Sequence, residues 1–137
     1  MGMKKQYSIG LDFGSLSGRG VLADISDGRI IAEAVMEYPH GVMDSALPDG
    51  TPLVGEWCLQ HPQDFVDVME YVVPELMKNG HVDASQVVGI GIDFTASTVV
   101  PLNSKLTPLC FQPEFQSNPH AWVKMWKHHG AAKQAQK

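Results

Sequence analysis

The phrase Ile-Gly-x-Asp-Phe occurs twice in this chain, at Ile9–Phe13 and again at Ile90–Phe94. Around the first copy, Tyr7, Ile9, Leu11 and Phe13 alternate with small or polar residues. That period of two is the pattern of a strand with one buried face. The second copy lies in VVGIGIDF, residues 87–94. A run so nearly unbroken predicts a central strand buried on both faces. Each copy closes on an acid and a phenylalanine, and small or hydroxylated residues follow. Two such strands side by side would deliver two carboxylates and two sharp turns to one cleft, the edge at which open α/β sheets bind ligands.

The segments between the copies fit that arrangement. GSLSG, 14–18, reads as a turn and RGVLADI, 19–25, as a second strand. Asp27-Gly28 is a strong hairpin signal, and a third strand follows over 30–39, stopped by Pro39. The N-terminal part is therefore expected to be an antiparallel meander. Residues 40–60 hold Gly41, Pro48, Gly50, Pro52 and Gly55, a loop longer than a connector needs. A helix is predicted over 61–80: Pro62 suits its first turn, Asp64 complements its dipole and Gly80 ends it. Phe65, Met69, Val72, Val73 and Leu76 would form its apolar face, and Pro74 should kink or split it. STVVPLN, 97–103, reads as a short fifth strand, 105–119 as loop, and the stretch from Ala121 onward as helix. If the fourth strand runs parallel to the first, the helix is a right-handed crossover. The expected fold is then α/β, a mixed five-stranded sheet of order 3-2-1-4-5 with flanking helices. Asp12 and Asp93 would stand at the C-terminal ends of neighbouring strands.

Composition narrows the function. The chain has 137 residues, is 44% hydrophobic and carries a net charge of −5. It can fill a core, and nothing in it resembles a nucleic-acid or membrane surface. The N-terminal lysines precede no long apolar run, so a signal peptide is not expected. Gly2 after Met1 is a weak acylation cue that chance explains better. Cys58 and Cys110 lack metal or redox spacing and read as free thiols in a reducing, cytoplasmic setting.

Asp12 is followed by Gly14, Ser15, Leu16, Ser17 and Arg19. A hairpin turn of small residues gathers backbone N–H groups into a concavity that favours phosphate oxygens. Ser15 and Ser17 add hydroxyls, and Arg19 adds a charge-assisted donor. Asp12 would repel phosphate, so its natural role is to hold Mg²⁺, often through water. A solvated acid on a glycine-rich hairpin is the plain alternative. Asp93 invites the same question, since a strand-end carboxylate can simply bond to nearby N–H groups. Ala96, Ser97 and Thr98 suit the lining of a polyol pocket. Trp122 or Trp126 could stack on a sugar. His128 and His129, if helical, would point about 100° apart and would not share an ion. His40, His61 and His81 stand alone in loops.

GLDFGSLSGRGVLAD, VVGIGIDFTASTVVPLN and PEFQSNPHAWVKMWKHHGA together resemble the FGGY family of carbohydrate kinases, over nearly the whole chain. Thr95-Ala96-Ser97-Thr98 and the Lys-His-His after Trp126 point to the branch acting on ribulose. The resemblance implies a ribonuclease H-like, actin-like ATPase domain and ATP-dependent phosphorylation of a pentulose. It implies that Asp12 helps hold Mg²⁺ and that Gly14, Ser15, Leu16, Ser17 and Arg19 form the first phosphate turn of an ATP site. Asp93, Ala96, Ser97, Trp126 and Lys127 would serve the sugar. The family's catalytic base, second phosphate segment and adenosine domain have no counterpart in these residues. The chain is thus expected to be a piece of the N-terminal domain, without turnover by itself, and a homodimer of the longer protein is open.

Three rivals remain at this point. One is an FGGY kinase for another polyol, and one is a non-catalytic actin-like domain that binds sugar or ATP. The third is a resolvase-type nuclease, which opens with a similar phrase. That last reading needs a basic face and acids late in the chain, whereas the last acid here is Glu114.

Overall fold

The structure, a computed structural model, describes residues 5–137; the Gly2 cue lies outside them. In chain order the regular elements are β1 (Tyr7–Phe13), β2 (Ser17–Asp24), β3 (Ile30–Glu37), β4 (Leu59–Gln60), α1 (Pro62–Gly80), β5 (Val87–Phe94), β6 (Val123–Lys124) and α2 (Ala132–Ala135), with short 3-10 turns between. They group into two compact units. The first runs through Tyr38 and takes up again at Phe65–Phe94; the second is Pro39–Asp64 with Thr95–Lys137.

In the first unit, β1 pairs antiparallel with β2, and β2 with β3. The Asp-Gly hairpin forms as expected: Gly28 is left-handed at φ +73 and Asp24 N–H donates to Arg29 O at 2.9 Å. β5 runs parallel to β1, a pairing that needs a crossover, and α1 is that crossover. The sheet order among the described residues is β3-β2-β1-β5, four strands rather than five. The predicted fifth strand does not form. Val99 and Leu102 make only isolated bridges, and Pro101 between them has no N–H to give a ladder.

Why α1 seats where it does follows from two glycines. Gly18 and Gly20 alternate on the β2 face that meets the helix. A Cβ on Gly20 would lie 2.6 Å from Val72 Cγ1 and 2.9 Å from Leu76 Cδ1, and one on Gly18 would overlap Val68. The buried helix face is Phe65, Val68, Val72 and Leu76. Met69, expected on it, is exposed, and Val68 takes the inner position. Nor does Pro74 split the helix, which runs unbroken over 19 residues. Pro74 and Glu70 are exposed, so the carbonyl that Pro74 leaves without an amide is on the wet side, where water can serve it.

β5 differs most from expectation. It is an edge strand, and Ile90 and Ile92 are 55% and 56% exposed. By register Ile90, Ile92 and Phe94 share the face of Ile9, Leu11 and Phe13, the face that α1 covers. The helix lies over β1 and β2, where the glycines admit it, touches β5 through Phe65 on Phe94, and leaves Ile90 and Ile92 exposed. Apolar content alone could not tell a central strand from an uncovered one.

The second unit is built on short pairings. β4 pairs antiparallel with β6, Met43 bridges Leu59, and Val99 bridges Lys124. Its core gathers Met43, Leu47, Leu53, Leu59, Cys110 and Trp122. Trp122 satisfies its indole N–H by donating to Gln116 O at 3.0 Å. The helix predicted from Ala121 is absent here; only Ala132–Ala135 is helical. Pro119, capped by Asn118, starts a single 3-10 turn, and Trp122 leaves it extended at ψ 164. Val123 then pairs with Gln60. Tertiary pairing of a β-branched residue overrides the local helical tendency.

Candidate functional site

In the first unit, Asp12 and Asp93 are direct partners in the parallel ladder. Each is the last residue but one of its strand. Ladder partners project to the same face, so both carboxylates stand at one rim, on the face opposite α1. A shallow cavity of about 450 Å³ opens there, lined by Gly10, Asp12, Arg19, Gly91 and Asp93 among others. Its floor is bare backbone at Gly10 and Gly91. A Cβ on Gly91 would meet nothing within 4 Å, so the space above it is open to a ligand.

Arg19 sits across the β1–β2 ladder from Asp12, with Nε 3.2 Å from Asp12 Oδ2. Both side chains are about half exposed, so this pair adds little to stability. Its effect is on charge: the guanidinium fixes one carboxylate oxygen. Nη2 of Arg19 also lies near Gly14, 3.6 Å from where a Cβ would be. The turn itself is closed by Gly14 N–H donating to Ser17 O at 2.9 Å, with Leu16 at its exposed tip. β2 starts at Ser17, earlier than the sequence suggests, so Ser17 and Arg19 are strand residues and Ser15 and Leu16 form the bend. Two oxygen-bearing acids at one rim, with Arg19 engaging only one oxygen of Asp12, make a donor set that fits a hard, partly hydrated dication such as Mg²⁺.

In the second unit, Ala96 and Ser97 form a turn. Ser97 is left-handed at φ +62, and Thr98 Oγ1 closes the turn on Thr95 O at 2.6 Å. Trp126 is half exposed, with Lys127 Nζ 5.0 Å from its ring centroid. The antiparallel bridge between Val99 and Lys124, bonded both ways at 3.1 and 3.0 Å, ties the two segments together. Four expected sugar-facing residues thus belong to one unit; Asp93 belongs to the other with Asp12.

His40 and His61, read above as isolated, are stacked at 3.8 Å between centroids and 11° between planes. His40 Nδ1 meets the fully buried Asp64 at 2.5 Å, and Asp64 also accepts the His40 N–H at 3.3 Å. His61 Nδ1 accepts from Gln63 N–H at 3.2 Å. This is the grouping of metal-capable side chains among the described residues. Parallel rings aim their in-plane lone pairs alongside each other rather than at one point, so the arrangement is a hydrogen-bonded clasp. Residues 128 and 129 are not helical, so the 100° separation expected of their side chains does not apply. His128 is held below the ordinary imidazole range by burial and by Lys124, His120 and His129.

Sequence reasoning missed two features beneath the rim. Phe13 stacks on Phe94 at 4.5 Å, and Phe65 meets both edge-on. The Phe in each copy of the repeated phrase was the available signal. Tyr38, bonded to the turn, gave none beyond an aromatic before a proline.

No protein-family model matches the chain. It is 51% identical over 132 residues to the ribulokinase of Shouchella clausii, covering 96% of this chain and 24% of that protein. It is 48% identical over 134 residues to the ribulokinase of Halalkalibacterium halodurans, covering 97% and 24%. The chain therefore spans about a quarter of the length of the curated relatives it matches. Among solved structures, the gluconate kinase of Lactobacillus acidophilus superposes with a TM-score of 0.72 at 19% identity, over 97% of this chain and 22% of that one. The xylulose kinase of the same organism gives 0.71 at 19%, over 96% and 22%. These likenesses show the fold, an α/β actin-like ATPase sheet with a flanking helix. Over nearly its whole length the chain is similar to a portion of each of these ribulokinases.

Proposed function

We propose that this chain is the part of an ATP-dependent carbohydrate kinase that carries one phosphate turn and part of the sugar pocket, in an enzyme converting ribulose to ribulose 5-phosphate. The observation that carries the reading is the in-register pairing of Asp12 with Asp93 above a glycine floor, in a chain 51% identical to a ribulokinase.

Phosphoryl transfer depends chiefly on positioning and charge neutralisation. In this reading Ser15 and Ser17 hydroxyls and the backbone of residues 14–17 donate to phosphate oxygens, and Arg19 offsets their charge. Asp12 holds Mg²⁺, with Asp93 beside it or turned to the sugar; when bound, the ion screens phosphate charge. Small side chains at Ala96 and Ser97 leave room for five carbons. Trp126 offers an apolar face to sugar C–H groups, and Lys127, now over that face, moves to a sugar hydroxyl. The proton acceptor for the reacting hydroxyl is supplied by residues outside these 137, and the chain alone has no turnover. The setting is the cytoplasm of a pentose-using cell.

The experiment is an ADP-release assay on the longer kinase with a panel of pentuloses, polyols and gluconate. Ribulose-dependent ATP consumption supports the reading. Turnover only with another polyol would move the substrate assignment, and sugar binding without any ATP consumption would make this a sensor.

A further inference from the structure

We propose that Tyr38 is a positioning residue for the phosphate turn, holding the Gly14–Ser15 peptide with its N–H directed toward the anion. The inference rests on reading residues 14–19 as a phosphate turn.

Tyr38 directly follows β3 and is 5% exposed. Its hydroxyl donates to Gly14 O at 3.1 Å, and its backbone N–H donates to Leu16 O at 2.9 Å. Ser17 O accepts from Gly14 N–H at 2.9 Å. The carbonyls of residues 14, 16 and 17 thus each accept a hydrogen bond from within the protein. In a trans peptide the C=O and the following N–H point opposite ways. Fixing Gly14 O on the Tyr38 hydroxyl therefore directs Ser15 N–H away from Tyr38. Glycine at 14 makes this peptide easy to rotate. A rotated peptide would present carbonyl oxygen where a phosphate oxygen needs a donor. The hydroxyl contact opposes that rotation.

The phenol is itself well anchored. Its ring meets Phe65 edge-on at 5.7 Å, and Phe65 meets Phe13 edge-on at 5.8 Å. Phe13 precedes Gly14 and follows Asp12, so one aromatic cluster underlies the acid and the turn. An aromatic ring packed this way places its hydroxyl with few alternatives.

The test is Tyr38→Phe in the longer kinase, which keeps the ring and removes the hydroxyl, read beside Ser15→Ala. Loss of one net hydrogen bond predicts a rise in the KM for MgATP of roughly five-fold, with the KM for ribulose unchanged. That split between the two KM values supports the proposal, because a merely structural role would move both. If Ser15→Ala raises the MgATP KM and Tyr38→Phe leaves it unchanged, the clasp is wrong while the turn stands. If neither variant moves it, the turn reading fails and the proposal goes with it.

Discussion

Gly20 faces Val72 so closely that a Cβ on the glycine would stand 2.6 Å from Val72 Cγ1. The same methyl would also crowd Leu76 and Leu11. No flexible side-chain end can swing aside here, since all three neighbours are in the core. Gly20→Ala is expected to destabilise the fold by about 1–3 kcal/mol, as overpacking does. Val72→Ala added to it should recover part of that loss, a non-additive pair. Urea unfolding of the single and double variants reads both effects; a Gly20→Ala protein as stable as its parent would mean the helix sits further from the sheet.

Asp24 should give the fold an acid-sensitive component. Its carboxylate is buried and accepts from Ser26 Oγ at 2.6 Å and Ser26 N–H at 2.9 Å. Those bonds, chiefly the Ser26 side chain, hold its pKa below the ordinary 3.8, with Lys5 and Arg29 assisting against burial. The folded form then binds its proton less readily than the unfolded form. The stabilisation is complete above the unfolded value and is lost as pH falls through the folded one. Asp24→Asn should flatten the stability profile below about pH 4 and leave the slope above it alone, as followed by unfolding at stepped pH. An unchanged acid slope would contradict the assignment.

Cys110 is almost wholly buried, and burial pushes its thiol up to about 11. Cys58 is raised by burial as well, with Lys127 partly opposing. A thiol reacts as its thiolate, so neither should be alkylated at pH 8 in the native protein, and both should react at once in denaturant. Rapid native labelling of Cys110 would show that the core around Trp122 opens.

Ser15→Ala combined with Arg19→Ala in the longer kinase should weaken nucleotide use more than sugar binding. A separate measurement of ribulose affinity, by titration without nucleotide, makes the comparison. The reverse ranking would mean that the turn serves the sugar.

The elements that could be read from the residues are those whose signals are local. Alternation from Tyr7 to Phe13, Asp27-Gly28, and Pro62 with Gly80 each announce their element without help from afar. The acids at 12 and 93 were readable because one phrase was repeated. What failed depended on partners distant in sequence. Val87–Phe94 is apolar enough for a central strand, but whether it is covered depends on where α1 lies, and Gly18 and Gly20 decide that from β2. Residues 121–126 have the composition of a helix, yet Val123 pairs with Gln60 across the unit. His40 finds Asp64 and His61 only once the loop after β3 folds back on the start of α1.

The claim on which the account turns is that Asp12, paired with Asp93 at one sheet rim, serves the metal–phosphate end of a ribulose kinase. The most direct measurement is the Mg²⁺ dependence of ribulose-dependent ATP consumption by the longer kinase, parent against Asp12→Asn. The account predicts a rate lowered by roughly 100-fold, as for loss of one preorganised charge at a reacting centre, and a higher Mg²⁺ requirement. An Asp12→Asn enzyme with the parent's rate and the parent's Mg²⁺ requirement would contradict it.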